Sequence, residues 1–200
     1  MLKRSRQGLR VVVVSLALLG VTAAIHGHAT ATATPAARPE IVLVVGDSLA
    51  GRLEPSLSRL VAPRRVVLDA VAGRTTPQGL ARLRAELHTV SPTVVLISLG
   101  TNDGPNPERF RSRIRRALHA IPAGTCVVWA DIHRPARKGP YRPLNSVLAR
   151  EARRDPRLVI VGWSRAVARH EVLLPDGIHP DPAGFDYRSR LFSHAVERSC

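Results

Sequence analysis

The chain has 200 residues, which suits one domain with a sizeable core. Its 30 Lys and Arg against 15 Asp and Glu give a formal charge of +15, almost all arginine, since Lys3 and Lys138 are the lysines. Such a charge first suggests nucleic acid, but the arginines are spread over every predicted helix and aromatics make up only 4% of the chain. That argues against nucleic acid as a partner and for attraction to an anionic cell envelope.

Residues 1–33 read as a leader. Lys3, Arg4, Arg6 and Arg10 form a basic start, Val11 to Ile25 is an apolar run, and Ala29-Thr30-Ala31-Thr32-Ala33 offers small-residue cleavage sites. The run is shorter than the roughly 20 residues of a spanning helix, which favours a cleaved signal peptide over an uncleaved anchor. Removing it leaves about +11. Residues 34–39 are an Ala/Thr/Pro-rich tether, and a single domain spans 40–200.

Ile41 to Val45 is a continuous apolar run that reads as a buried strand. It runs into Gly46-Asp47-Ser48, and Leu49, Leu53, Leu57 and Leu60 then repeat at helical spacing. The pattern predicts a helix from about Ala50 to Val61, with Pro55 in its first turn. Ser48 then stands between strand end and helix N-terminus, beside free N–H groups and the positive end of the dipole. The plainer alternative makes Ser48 an N-cap.

The second strand is Arg65–Ala70, followed by a loop with Gly73 and Arg74 and by a helix capped at Thr76-Pro77. Thr93–Leu99 is the third strand, and it stops at Gly100-Thr101-Asn102-Asp103. Asn106 caps the next helix, with Phe110, Ile114, Leu118 and Ile121 on one face. Cys126–Ala130 is the fourth strand, with Asp131 and His133 after it, and a helix spans about Arg142–Arg153. Arg157–Val161 is the fifth strand. A short helix over Arg165–His170, the block Asp176-Gly177-Ile178-His179, and a helix from about Pro182 to Arg198 complete the chain.

Alternating strands and helices with short connections imply a flavodoxin-like three-layer α/β/α sandwich. Its parallel sheet has five strands, in the order 2-1-3-4-5. The loops after the strands gather on one edge, where ligands bind. They carry Ser48, Gly73, Asn102, Asp176 and His179. A nucleophile needs a base and the base an orienting group, roles open to Ser48, His179 and Asp176. The backbone N–H groups of Ser48 and Gly73 and the Asn102 amide are available for a developing oxyanion.

Gly46-Asp47-Ser48, Gly73, Gly100-Thr101-Asn102-Asp103 and Asp176-Gly177-Ile178-His179 resemble, in order and position, the four blocks of the SGNH (GDSL-type) hydrolase superfamily. The likeness covers about residues 40–198 and is nearest to bacterial extracytoplasmic domains. The resemblance implies a serine esterase with Ser48 as nucleophile, His179 as base, Asp176 as its partner, and Ser48, Gly73 and Asn102 as the oxyanion hole. It implies no cofactor and no metal. The substrate is an acyl ester, small or carried on an envelope glycan. Two rivals stand: an O-acyltransferase on a cell-wall glycan using the same triad, and a non-catalytic envelope-binding domain.

Arg74 is open to two readings, a substrate contact or a solvent-facing charge. His133 lies on the catalytic edge, as a substrate contact or simply part of a polar loop. Asp47 and Asp103 read as loop-fixing residues. Cys126 starts the fourth strand, on the edge opposite the catalytic loops. The last helix returns the chain roughly 24 Å to that edge, bringing Cys200 near the same level. A Cys126–Cys200 disulfide is one outcome; a buried strand thiol and a frayed terminal one is the other.

The leader makes a direct prediction. N-terminal sequencing of exported material should find a start between Ala31 and Ala37; an intact Met1 would mean an anchored form.

Overall fold

A computed structural model describes residues 40–200; the expected leader, its cleavage sites and the tether lie outside the described residues. The elements are β1 (Ile41–Gly46), α1 (Glu54–Leu60), β2 (Arg65–Ala70), α2 (Thr76–Thr89), β3 (Val94–Ser98), α3 (Pro107–Ala120), β4 (Cys126–Ala130), α4 (Arg142–Ala152), β5 (Leu158–Val161), α5 (Trp163–Ala168) and α6 (Pro182–Ser199). A single 3-10 turn, Ala136–Lys138, precedes α4. The five strands are parallel, in the expected order β2-β1-β3-β4-β5.

Strand periodicity divides the core between the two faces. Leu43 and Val45 of β1 join Leu80 and Leu83 of α2, Phe110 and Ile114 of α3, and Leu144 and Val147 of α4. Val42 and Val44 face the other way, onto Leu53 just before α1, Leu57 of α1, Trp163 of α5, and Phe192 and Val196 of α6. The central strands are buried on both sides, which is why they read as unbroken apolar runs.

Three helix starts differ from expectation. The first helix starts at Glu54, not Ala50. The Asp47 carboxylate accepts from the Leu49 N–H at 3.0 Å, and Ala50 N donates to Asp47 O and Leu53 N to Ala50 O. Those turns use the backbone groups a helix would need. Pro55 does fall in the first helical turn. The cap of α2 is Thr75, whose N–H and hydroxyl both donate to Gln78 Oε1, so Thr76 is already helical. The fifth helix begins at Trp163, two residues early.

Cys126 and Cys200 are joined in a disulfide, with Cα atoms 5.6 Å apart. The geometry follows chain direction: α6 starts on the loop edge and runs its 18 residues back to where β4 begins. The bond closes 74 residues of chain. Loop-closure entropy makes that worth about 4 kcal/mol. Replacing both cysteines by serine should therefore lower the urea midpoint strongly while leaving the native circular dichroism intact. Two free thiols in denatured, unreduced protein would contradict the bridge.

Candidate active site

Strand order places the site. From β1 the chain crosses to β2 on one side, and from β3 to β4 on the other, so the loops after β1 and β3 diverge and leave a crevice between them. Ser48 follows β1 and Asn102 follows β3. Gly46 makes the first turn possible, since a Cβ there would lie 2.3 Å from the Ala50 Cβ. Ser48 itself sits in the turn, six residues before α1 begins, so the N-terminus of α1 does not start at it. The α1 N-terminus expected there is displaced by the Asp47 turn.

Ser48 Oγ lies 2.8 Å from His179 Nε2, and His179 Nδ1 lies 2.7 Å from Asp176 Oδ2. The other carboxylate oxygen, Asp176 Oδ1, accepts from the N–H groups of Ile178 and His179 at 2.9 and 2.7 Å. Gly177, at φ +80°, allows the tight turn that brings these donors back onto the carboxylate. The His179 ring, its N–H and the Ile178 N–H together hold the Asp176 carboxyl well below the usual carboxylate range. The pair is open to solvent, with side-chain exposures of 43% for His179 and 54% for Asp176.

The donors expected for an oxyanion lie on the neighbouring loops. The N–H groups of Ser48 and Gly73 donate to no acceptor among the described residues. Asn102 Nδ2 donates to Arg74 O at 3.2 Å and to Asp47 Oδ2 at 3.4 Å. Asp103, as expected, fixes its loop: it accepts from Thr76 N at 2.8 Å and pairs with Arg113 at 2.7 Å.

Arg74 does not face solvent. It is buried, donating to Asp69 O at 2.7 Å and Gly46 O at 3.2 Å and pairing with Asp69 at 2.6 Å, so it braces the ends of β1 and β2. His133 is half-buried and its ring packs on Tyr141 at 5.2 Å; no hydrogen bond links it to Ser48, Asp176 or His179. Burial pushes its imidazole below the ordinary value, against the pull of Asp131. Asp131 is tied to Ser164, accepting from its N–H and hydroxyl at 2.6 Å each.

Three residues escaped the sequence reading. Arg134 is 2% exposed and donates to the carbonyls of Gly100, Thr101 and Asp103 on the Asn102 loop and of Gly139 and Pro140 on its own. Lys138 Nζ donates to Asn102 Oδ1 at 3.3 Å. Arg188 of α6 is buried beneath the strand ends, donating to Ser98 Oγ at 3.0 Å with its guanidinium 4.4 Å from the Trp163 ring centre. Burial lowers its pKa to about 10, against the opposing pull of Asp47 and Asp131. Arg188 sits within a helical pattern, where an arginine reads as surface, and Arg134 and Lys138 lie in a Pro/Arg/Gly loop, so no local signal marks these contacts.

Comparison with known proteins gives the family and the fold. The model of the GDSL-like Lipase/Acylhydrolase family matches residues 38–187. The chain is 30% identical over 166 residues to esterase TesA of Pseudomonas aeruginosa, covering 74% of this chain and 83% of the relative. It is 29% identical over 164 residues to thioesterase 1/protease 1/lysophospholipase L1 of Escherichia coli, covering 73% and 78%. The fold is that of the catalytic domain of Streptococcus pneumoniae peptidoglycan O-acetyltransferase A (TM-score 0.62, 20% identity, 80% of this chain and 92% of that one).

Asp47 yields a prediction about stability. Burial raises its carboxyl to about 6, against the pull of the Leu49 N–H and the Arg188 charge. An unfolded aspartate titrates at about 3.9, so between these values the native state binds more protons. Stability is then lost through this group as pH rises from about 4 to about 6, by about 3 kcal/mol in all. Urea unfolding across that range should show the wild type losing stability relative to Asp47→Asn. A pH-independent difference would contradict the raised value.

Proposed function

This chain belongs to the GDSL-like Lipase/Acylhydrolase family and is a serine hydrolase of the esterase class, and we propose that it is an exported esterase whose nucleophile is Ser48. The observation that carries the reading is the unbroken relay from Ser48 Oγ to His179 Nε2 and from His179 Nδ1 to Asp176. Ser48 attacks the ester carbonyl while His179 takes its proton. Asp176 holds the imidazole in the tautomer that leaves Nε2 free to accept, and stabilises the imidazolium once formed.

The negative oxygen of the tetrahedral intermediate meets the N–H groups of Ser48 and Gly73 and the Asn102 amide. Contacts of 3.2 and 3.4 Å at Asn102 Nδ2 are long, which leaves its N–H hydrogens weakly engaged before substrate binds. His179 then protonates the departing alcohol. Water, deprotonated by the same imidazole, releases the acyl group. The chemistry uses no metal and no cofactor.

A hollow of about 390 Å³, lined by Val71, Ala72, Gly73, Gln78 and Ala81 together with Arg74 and Arg82, borders the Gly73 donor. It is small and open, which supports a short acyl group. The exposure of His179 and Asp176 supports a second reading, in which a glycan hydroxyl replaces water as acceptor. The Streptococcus pneumoniae O-acetyltransferase domain shares this fold.

Residues 1–33 act in this reading as an export leader, 34–39 as a tether and 40–200 as the catalytic domain. The disulfide is consistent with an oxidising compartment. No helix among the described residues is long and apolar enough to cross a membrane.

A fluorophosphonate probe should label the wild type and fail on Ser48→Ala. Hydrolysis of p-nitrophenyl esters should fall by on the order of 10⁶-fold in His179→Ala and on the order of 10⁴-fold in Asp176→Asn, because Asp176 orients and does not transfer protons. The reverse ranking would mean that the two roles are exchanged. Full activity in Ser48→Ala would sink the mechanism. Addition of a glycan acceptor separates hydrolysis from transfer by the product formed.

A further inference from the structure

The Asn102 amide is held between opposite charges. Its Nδ2 faces the Asp47 carboxylate and the Arg74 carbonyl, at 3.4 and 3.2 Å, while its Oδ1 accepts from the Lys138 ammonium at 3.3 Å. Turning the amide over would set Oδ1 against two acceptors and Nδ2 against a group that only donates. Every contact would become repulsive. One orientation therefore survives, and it presents the N–H hydrogens to the turn that carries Ser48.

We propose that Lys138 is a positioning residue for catalysis: by donating to Asn102 Oδ1 it keeps Nδ2 aimed at the developing oxyanion. The proposal rests on the reading of Asn102 as an oxyanion donor. An ammonium on the carbonyl oxygen also draws electron density from the amide nitrogen, which strengthens its N–H as a donor to negative charge. Lys138 thus acts through Asn102 without touching the substrate.

The backbone explains how an exposed lysine holds this position. The buried Arg134 guanidinium donates to Thr101 O and Asp103 O, the carbonyls on either side of Asn102, and also to Gly139 O, directly after Lys138. One rigid planar group thereby fixes the spacing between the two loops. Lys138 N donates to Pro135 O, closing the 3-10 turn, and Arg137 Nη2 donates to Asp176 O at 3.2 Å, which ties the same turn to the triad loop. The ammonium itself is exposed, so its removal costs little stability. Its effect on catalysis is separable from any effect on folding.

The test compares Lys138→Met, Lys138→Arg, Asn102→Ala and the Lys138→Met/Asn102→Ala double variant with p-nitrophenyl acetate, alongside thermal unfolding. Lys138→Met should lower kcat about tenfold with KM and Tm unchanged, and Lys138→Arg should recover most of the loss. Asn102→Ala should cost on the order of 10²–10³ in kcat. In that background Lys138→Met should cost nothing more, because its target is gone. An unchanged kcat in Lys138→Met beside an impaired Asn102→Ala overturns the Lys138 proposal alone. So does an equal Lys138→Met loss in both backgrounds. Full activity in Asn102→Ala overturns the oxyanion reading, and the role of Lys138 with it.

Discussion

The Asp47 carboxylate, 1% exposed at the end of β1, has to be satisfied without water, and much of the site follows from that constraint. One oxygen takes the Leu49 N–H, which coils residues 47–53 into turns and delays α1. The other faces the Asn102 amide, joining the loops on the two sides of the crevice. The charge is opposed by the buried Arg188 guanidinium, which brings α6 beneath the strand ends. Three segments far apart in the chain are thus set by one buried charge. Burial raises its pKa, which marks the cost that these partners offset.

Arginine does much of the internal bracing. Arg74 ties the ends of β1 and β2, Arg134 clamps the Asn102 loop to the loop before α4, and Arg188 lies under the catalytic turn. A planar fork of five donors suits this work, because carbonyls at strand ends point in several directions and a single guanidinium reaches several of them. Part of the large positive charge is therefore architectural. It is matched by carbonyl dipoles and by Asp69, Asp103 and Glu151, and does not all face an anionic partner.

The last helix links the site to the far edge of the sheet. Asp181 caps its start, accepting from Gly184 N at 2.7 Å, two residues after His179. Its far end is bonded through Cys200 to the first residue of β4. Between them Phe192 and Val196 pack against the sheet. The loop that carries Asp176 and His179 is consequently anchored downstream by a cap, a packed helix and a covalent bond, which suits a pair that is itself open to solvent.

The sequence determined the strand order, the helices and the set of loops that meet on one edge, because these follow from local patterns: unbroken apolar runs, helical spacing, glycines at turns and the direction of the chain. The partnership of Ser48, Asp176 and His179 was legible for the same reason, since each follows or lies near the end of an element. Chain direction also brought Cys200 level with Cys126, but whether they meet depended on the lateral position of α6. Tertiary structure alone decided that Arg74 is a buried brace, that Ser48 lies ahead of the α1 start, and that Arg134, Lys138 and Arg188 reach residues of the strand ends and their loops. The partners of Arg134 on the Asn102 loop lie 31 to 34 residues away and the Ser98 partner of Arg188 lies 90 away. A long charged side chain takes its environment from whichever segments the fold brings within reach, and no local spacing encodes that.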